Sequence, residues 1–332
     1  MSIRSEHRSG AAPAAPRLWP TVWAKVPAAD AVLLPGLLVA LVVIMTAQSP
    51  YFLTSNNLGQ MLLQSSSLGI AAVGATYVIV AGDLDLSIGS NVALSGVVAS
   101  WGMTEATHSV LVGCALGVLC GAGIGLVNGL LSAVLDIASF VVTLGTGVIA
   151  TGLALYMTNG LALGGLPMSF HDLATTSILG VDSMVWAMLS TFLVGGIVLH
   201  RTALGVRIFA VGGNRRAAYL GGVPVVGARM TAFLVSGLSG GVAGVLVTSW
   251  VMAGQPNSGT SLTLFATAAV ILGGTRISGG DGSVLRTFFG VLLIGIVGNG
   301  LNLLGVDYSL QQVVIGVVFV LAACSEIFRH RR

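Results

Sequence analysis

Ser109-Val-Leu-Val-Gly-Cys-Ala-Leu-Gly-Val-Leu-Cys-Gly-Ala-Gly-Ile-Gly-Leu-Val-Asn-Gly-Leu-Leu-Ser-Ala-Val134 contains no charged residue. About 20 apolar residues in a helix cross the hydrocarbon of a bilayer, with a working range of roughly 17–25, and residues 109–134 meet that length. Working outward with the same ruler gives ten candidate spans, at 31–49, 58–80, 86–101, 109–134, 138–157, 183–200, 229–252, 260–274, 284–304 and 308–326. The third and eighth are short, which suits a re-entrant or broken helix. A count anywhere from eight to ten leaves the class unchanged. The expected fold is all-α, a polytopic transmembrane helical bundle.

Composition agrees. Of 332 residues 55% are hydrophobic and only 8% are charged, whereas a soluble domain carries about 25% charged residues. Lipid must therefore replace water around most of the surface. The 47 glycines fit, because small residues let membrane helices approach closely. Residues 1–29 are rich in Ala and Pro and carry Arg4, Arg8, Arg17 and Lys25, the mark of a disordered cytoplasmic tail. The apolar run after them is too long for a signal-peptide core and lacks a small-residue cleavage pattern, so it reads as a retained first helix. The membrane domain then occupies 30–328, and 329–332 form a short basic tail.

Charge sets the orientation. With both termini cytoplasmic, the inner segments hold all 14 lysines and arginines, five of them in 201–228 together with Arg229. The outer loops hold Glu105, Asp172, Asp182 and Asp307 and no basic residue. This is the asymmetry of the positive-inside rule. It also explains the net charge of +3 without a nucleic-acid partner. Tyr51, Trp101, Tyr156, Trp186, Trp250 and Tyr308 fall at the expected outer interface, where amphipathic rings settle.

Chemistry is sparse. The only lysine is Lys25, in the tail, so no phosphate-cradling P-loop can exist. Cys114, Cys120 and Cys324 lie in apolar runs without CxxC spacing and read as buried and reduced. His108, His171 and His200 stand singly at membrane boundaries. No nucleophile–base pair or metal set is visible, which disfavours a membrane enzyme. Two stretches echo each other, 78–90 and 270–283, each leaving one span and entering the next. Such repeats often flank a transport path. Within the first, Asp83 and Asp85 beside a membrane boundary have two readings. One is a proton or cation relay. The other, preferred, is capping by Asp85 or Ser87 at the start of the third span. The segment 201–228 is the longest internal cytoplasmic loop and the most basic. Within it Asn214–Leu220 has the form of a short helix, capped by Asn214 and ended by Gly221 and Gly222. Arg215 and Arg216 would face solvent or a partner, and Ala217 and Ala218 would offer a flat docking surface.

The pattern Gly213-Asn214-x-x-Ala217-Ala218-x-x-x-Gly222 resembles the coupling loop of ABC importer permeases. Gly82-Asp-Leu-Asp-Leu-Ser-Ile-Gly-Ser90, Leu126-Val-Asn-Gly-Leu-Leu131, Phe140-Val-Val-Thr-Leu-Gly-Thr146, Gly254-Gln-Pro-Asn-Ser-Gly259 and Gly300-Leu-Asn-Leu-Leu-Gly305 narrow the resemblance to ribose-type monosaccharide permeases, within the branched-chain amino acid/ribose permease superfamily. It covers about residue 60 to the C-terminus. The resemblance implies a bacterial inner-membrane subunit working as a pair (homodimer or paralogue heterodimer), with a cytoplasmic ATPase that binds ATP and Mg, and a periplasmic sugar-binding protein. This chain would bind no cofactor or metal itself. Gly213, Asn214, Arg215, Arg216, Ala217, Ala218 and Gly222 would dock the ATPase. Asp172, in the outer segment 158–182, would meet the binding protein. Asn128, Thr143, Asn159, Asn299, Asn302 and Gln312 are candidates to line the sugar's path, since amides and hydroxyls bind hydroxyls without buried charge. The same side chains serve equally for helix–helix hydrogen bonds. The family reads Gly-Gly-Ile-Asp where this chain has Gly82-Asp83-Leu84-Asp85, so Asp83 inherits no role. The alternative is a stand-alone proton-coupled transporter using Asp83 and Asp85, which would need no ATPase.

Overall fold

A glycine stands at every fourth position from Gly113 through Gly117, Gly121 and Gly125 to Gly129, leaving one face of that helix without side chains. The computed structural model describes residues 28–307, 309–317 and 320 and puts this face against a second glycine-rich helix. Residues 1–27 of the expected tail, the tail at 329–332, Tyr308, Cys324 and the later part of the last expected span lie outside the described residues.

In chain order the helices are α1 (Ala28–Gln48), α2 (Ser55–Val80), α3 (Ile88–Trp101), α4 (Val110–Gly129), α5 (Ser139–Thr158) and α6 (Met168–Thr175). A two-residue hairpin, β1 (Ser177–Ile178) and β2 (Val181–Asp182), leads to α7 (Ser183–Arg201), α8 (Ala203–Gly213), α9 (Arg215–Leu220), α10 (Val225–Val251), α11 (Leu262–Leu272) and α12 (Val284–Leu303). Each of the first nine expected spans falls on a helix, so the all-α polytopic expectation holds. Six helices among the described residues are long and apolar enough to cross a bilayer: α2, α4 with its π-helical extension to Val134, α5, α7, α10 and α12. The segment 201–228 is less of a loop than expected, since α8 and α9 occupy most of it and α10 begins at Val225.

The core is α2, almost wholly buried among α7, α10 and α12. Polar pins fix it: the Tyr77 hydroxyl donates to the Gly195 carbonyl at 2.6 Å, and the Thr76 and Thr287 hydroxyls lie 3.0 Å apart. The glycine face of α4 meets α10 so closely that a Cβ on Gly121 would sit 2.6 Å from the Gly237 oxygen and the Gly241 Cα. Buried Asn91 of α3 tightens the same crossing by donating to the Gly237 carbonyl at 3.1 Å.

α10 has 27 residues and so runs about 40 Å. Near its start Arg229 meets α9's neighbourhood, and near its end Ser249 bonds the Phe170 carbonyl of α6. The molecule therefore has two ends. The end with α9 carries the described arginines, and the end with α6 carries Glu105, Asp172 and Asp182.

The two short helices have a specific arrangement. Residues 81–87 run irregularly along α5: the Leu84 N–H donates to the Ser139 hydroxyl, the Leu86 N–H to the Thr143 hydroxyl, and Ser87 packs on Gly147. α3 thus begins beside a point eight residues into α5, roughly 12 Å along it. Residues 252–261 run irregularly down α3, with Gly254 against Ser100 and Gly259 against Gly89. The first turns of α3 and α11 consequently meet, and the Gly89 N–H donates to the Thr263 hydroxyl at 3.0 Å. α3 leads away toward the α6 end and α11 toward the α9 end.

Candidate functional site

The segment joining α2 to α3 leaves its helix through Gly82, whose φ of 78° no other residue type adopts cheaply. The Asp83 N–H then closes back on the Val78 carbonyl. α11 ends the same way, with Gly274 at φ 78° and the Thr275 N–H on the Val270 carbonyl. The sequence echo of 78–90 and 270–283 is therefore a shared helix exit. The two exits also touch: the Gly280 N–H donates to the Val80 carbonyl at 2.9 Å, with Gly212 and Gly213 of α8 wedged between them.

Asp83 leaves this exit directed into the protein, 4% exposed. Arg229, 3% exposed, grips it with a fork: Nε donates to one carboxylate oxygen at 2.8 Å and a terminal nitrogen to the other at 2.9 Å. Such bidentate pairs combine charge with fixed geometry. Arg215, the first residue of α9, adds a bond at 2.8 Å to the same carboxylate and one at 2.9 Å to the Gly82 carbonyl. Arg229 also reaches the exposed Asp136, between α4 and α5, at 3.1 Å. One carboxylate thus ties α9, the start of α10 and the α2–α3 connection together. Arg215 keeps an exposed side chain, as expected, and also makes this inward bond. The arrangement gives Asp83 a structural role that its departure from the family pattern did not suggest.

Asp85 is equally committed. One oxygen accepts the Ser87 N–H at 2.9 Å and the Ser87 hydroxyl at 2.6 Å, and the other accepts the Ser236 hydroxyl of α10 at 2.6 Å. Asp85 thus closes a turn onto Ser87, the residue before α3, while the Ser87 hydroxyl makes no cap bond and accepts the Asn128 amide at 2.8 Å. Each carboxylate oxygen of the pair thus accepts at least one hydrogen bond within the protein.

α9 forms as the sequence dictates. The Asn214 side chain accepts the Ala217 N–H at 2.9 Å, and the chain turns away through Gly221 and Gly222, the latter at φ 78°. Its outward face differs from expectation. Ala218 is turned inward at 7% exposure, so it offers no surface, whereas Tyr219 and Leu220 stand 71% and 74% exposed. Ala217, Arg216 and Gly213 are exposed beside them.

The six path candidates scatter. Asn128 and Thr143 are buried and bonded, Asn128 to Ser87 and Thr146, Thr143 to Ser139 and the Leu86 N–H. Asn299 forms a reciprocal amide pair with Asn57, both bonds 2.9 Å. Gln312 donates to Ser261. Asn159 is exposed in the left-handed conformation that ends α5, and Asn302 is exposed on α12. Asp172 is exposed on α6. Sequence reasoning missed Arg229 and Asp136. The available signal was an arginine at the start of a long apolar run, where a charge must find a partner.

The chain matches the family described as "Branched-chain amino acid transport system / permease component" over residues 57–323. It is 39% identical over 283 residues to the L-arabinose ABC transporter permease protein of Azospirillum brasilense, covering 85% of this chain and 83% of that one. It is 38% identical over 289 residues to the ribose import permease protein of Escherichia coli K12, covering 86% and 90%. The D-allose transport system permease protein of the same organism is 34% identical over 287 residues, covering 86% and 88%. No solved structure matches the chain significantly.

Proposed function

The chain belongs to the family of branched-chain amino acid transport system permease components, and on that premise we propose that it is the membrane subunit of an ABC importer for a monosaccharide or small polyol. It would lie in the bacterial inner membrane with about ten spans and the α9 end in the cytoplasm, a reading supported by the arginine distribution. A partner ATPase, binding ATP and Mg, docks on α9. A second permease completes the pathway, and a periplasmic sugar-binding protein delivers substrate to the α6 end, with Asp172 in contact.

The observation that carries this reading is α9 itself. A six-residue helix with Tyr219 and Leu220 exposed is anchored through Arg215 to Asp83 and thence to α10 and the entry to α3. A pull on α9 would be felt where the short helices meet. The test is uptake of L-arabinose, D-ribose and D-allose, the sugars of the relatives, into proteoliposomes holding the chain with the ATPase and binding protein encoded beside it. ATP-dependent uptake is expected. Uptake by this chain alone, indifferent to ATP and abolished by Asp85→Asn, would establish the proton-coupled alternative. The likeness to an ABC transporter permease supports the ATP-driven reading over that alternative.

A further inference from the structure

A cleft of about 340 Å³ opens where α3, α5 and the first turn of α11 converge. Ser90, Thr151, Thr260 and Thr263 bring hydroxyls to its lining, and the other six lining residues, Leu144 and Leu264 among them, are apolar or glycine. None of the six path candidates named from sequence lines it. From this geometry, and resting on the sugar-permease reading above, we propose that the cleft is the station through which a neutral polyhydroxylated substrate passes in this subunit.

Depth is the first argument. Leu144 and Thr151 lie five and twelve residues into the 20-residue α5, so the cleft sits roughly 8–18 Å along a helix of about 30 Å. It is therefore central to the bilayer. At that depth irregular backbone survives only when buried in protein or lining water. Residues 256–261 are irregular there, yet Thr260, which lines the cleft, is exposed. Lipid cannot be what faces it.

The second argument is chemistry. No ionisable side chain lines the cleft, so it selects neither anions nor cations. Hydroxyls both donate and accept, which matches a ligand whose own groups do the same. They are also partly engaged already: Thr151 donates to Ser90 at 3.0 Å, and Thr263 accepts the Gly89 N–H. A ligand exchanges such bonds at little net gain, as passage demands and tight binding does not. The volume lies within the range of about 300–1,000 Å³ usual for small-molecule sites. Connection is the third argument, for two walls are the first turns of α3 and α11, which reach the α9 end through residues 81–87 and α11 respectively.

The test uses the assembled importer with Cys114, Cys120 and Cys324 replaced by alanine and single changes Thr151→Cys, Thr260→Cys and, as a lipid-facing control on α5, Leu153→Cys. A thiol reacts as thiolate, which forms in water and not in lipid. Thr151→Cys and Thr260→Cys should react with a charged methanethiosulfonate at least about tenfold faster than Leu153→Cys. Trapping the ATPase with vanadate should change their rates and not the control's. Modification at Thr151→Cys should also stop ATP-driven uptake of whichever of L-arabinose, D-ribose or D-allose is carried. Equal rates at all three sites, or uptake that survives full modification, would overturn the proposal. If the importer assembles and hydrolyses ATP yet carries none of the three sugars, the sugar reading fails, and the labelling pattern still decides whether the cleft is a water-filled path.

Discussion

Replacing Asp83 with alanine should release the α9 end of the molecule from its core. The magnitude follows from burial. Arg229 would lose both fork bonds while staying enclosed, and breaking one side of a buried pair costs about 3–5 kcal/mol. Asp136 still reaches Arg229 at 3.1 Å, which favours the lower figure. Arg215 is partly exposed, so its lost bond adds at most about 1 kcal/mol. A cost of about 3 kcal/mol corresponds to a rise of roughly a hundredfold in the opening equilibrium of residues 81–87 and α9. Hydrogen exchange read by mass spectrometry on the nanodisc-embedded protein measures that equilibrium directly. The companion variants are Arg229→Met and the double change. Because the double variant leaves no uncompensated buried charge, it should recover most of the loss, giving a coupling energy of about 2 kcal/mol in the cycle. Exchange in Asp83→Ala indistinguishable from the parent, or strict additivity in the double variant, would refute the argument that Asp83 and Arg229 form one buried unit.

Further outcomes follow from the same geometry. Leu220→Asp with Tyr219→Asp should sharply reduce ATP-driven uptake while leaving thermal unfolding of the isolated subunit unchanged, because both side chains are exposed. Ala218→Glu should instead lower the unfolding temperature of the subunit itself, since it buries an unpaired charge against the bundle. Gly121→Val should cost about 3 kcal/mol or more, visible as poor yield and early thermal aggregation, because its Cβ would press on backbone in α10. Tyr77→Phe should cost about 1 kcal/mol through the loss of one buried hydrogen bond to Gly195, measured as a small fall in unfolding temperature. Asp281→Asn should be silent within about 1 kcal/mol, since its ion pairs with Arg276 and Arg286 are substantially exposed.

Residues 109–134 sufficed to announce a membrane helix, because the hydrophobic requirement of a bilayer is a one-dimensional property that a run of sequence either meets or fails. The same holds for the shortness of the third and eighth spans, for the asymmetry of arginines, and for the Asn214 cap of α9, whose acceptor and donor are three residues apart. The partnership of Asp83 with Arg229 is different. These residues are separated by 146 positions, and nothing local distinguishes Asp83, which is clamped by two arginines, from Asp85, which binds hydroxyls and a backbone N–H. Reading Ala218 as surface failed for the same reason. A six-residue helix has no periodicity long enough to declare its buried face, so its rotation is set by what it packs on.

The cleft belongs wholly to this second kind. Ser90, Thr151 and Thr263 look like ordinary helix hydroxyls until the glycine contact of Gly89 with Gly259 brings the starts of α3 and α11 together beside the middle of α5. Sequence by itself thus determined that this chain lives in lipid, and its motifs marked the family. Only the tertiary structure decided which charges cancel, which face of α9 is offered outward, and where a cleft with hydroxyls opens, because each depends on distances between residues that the chain order keeps far apart.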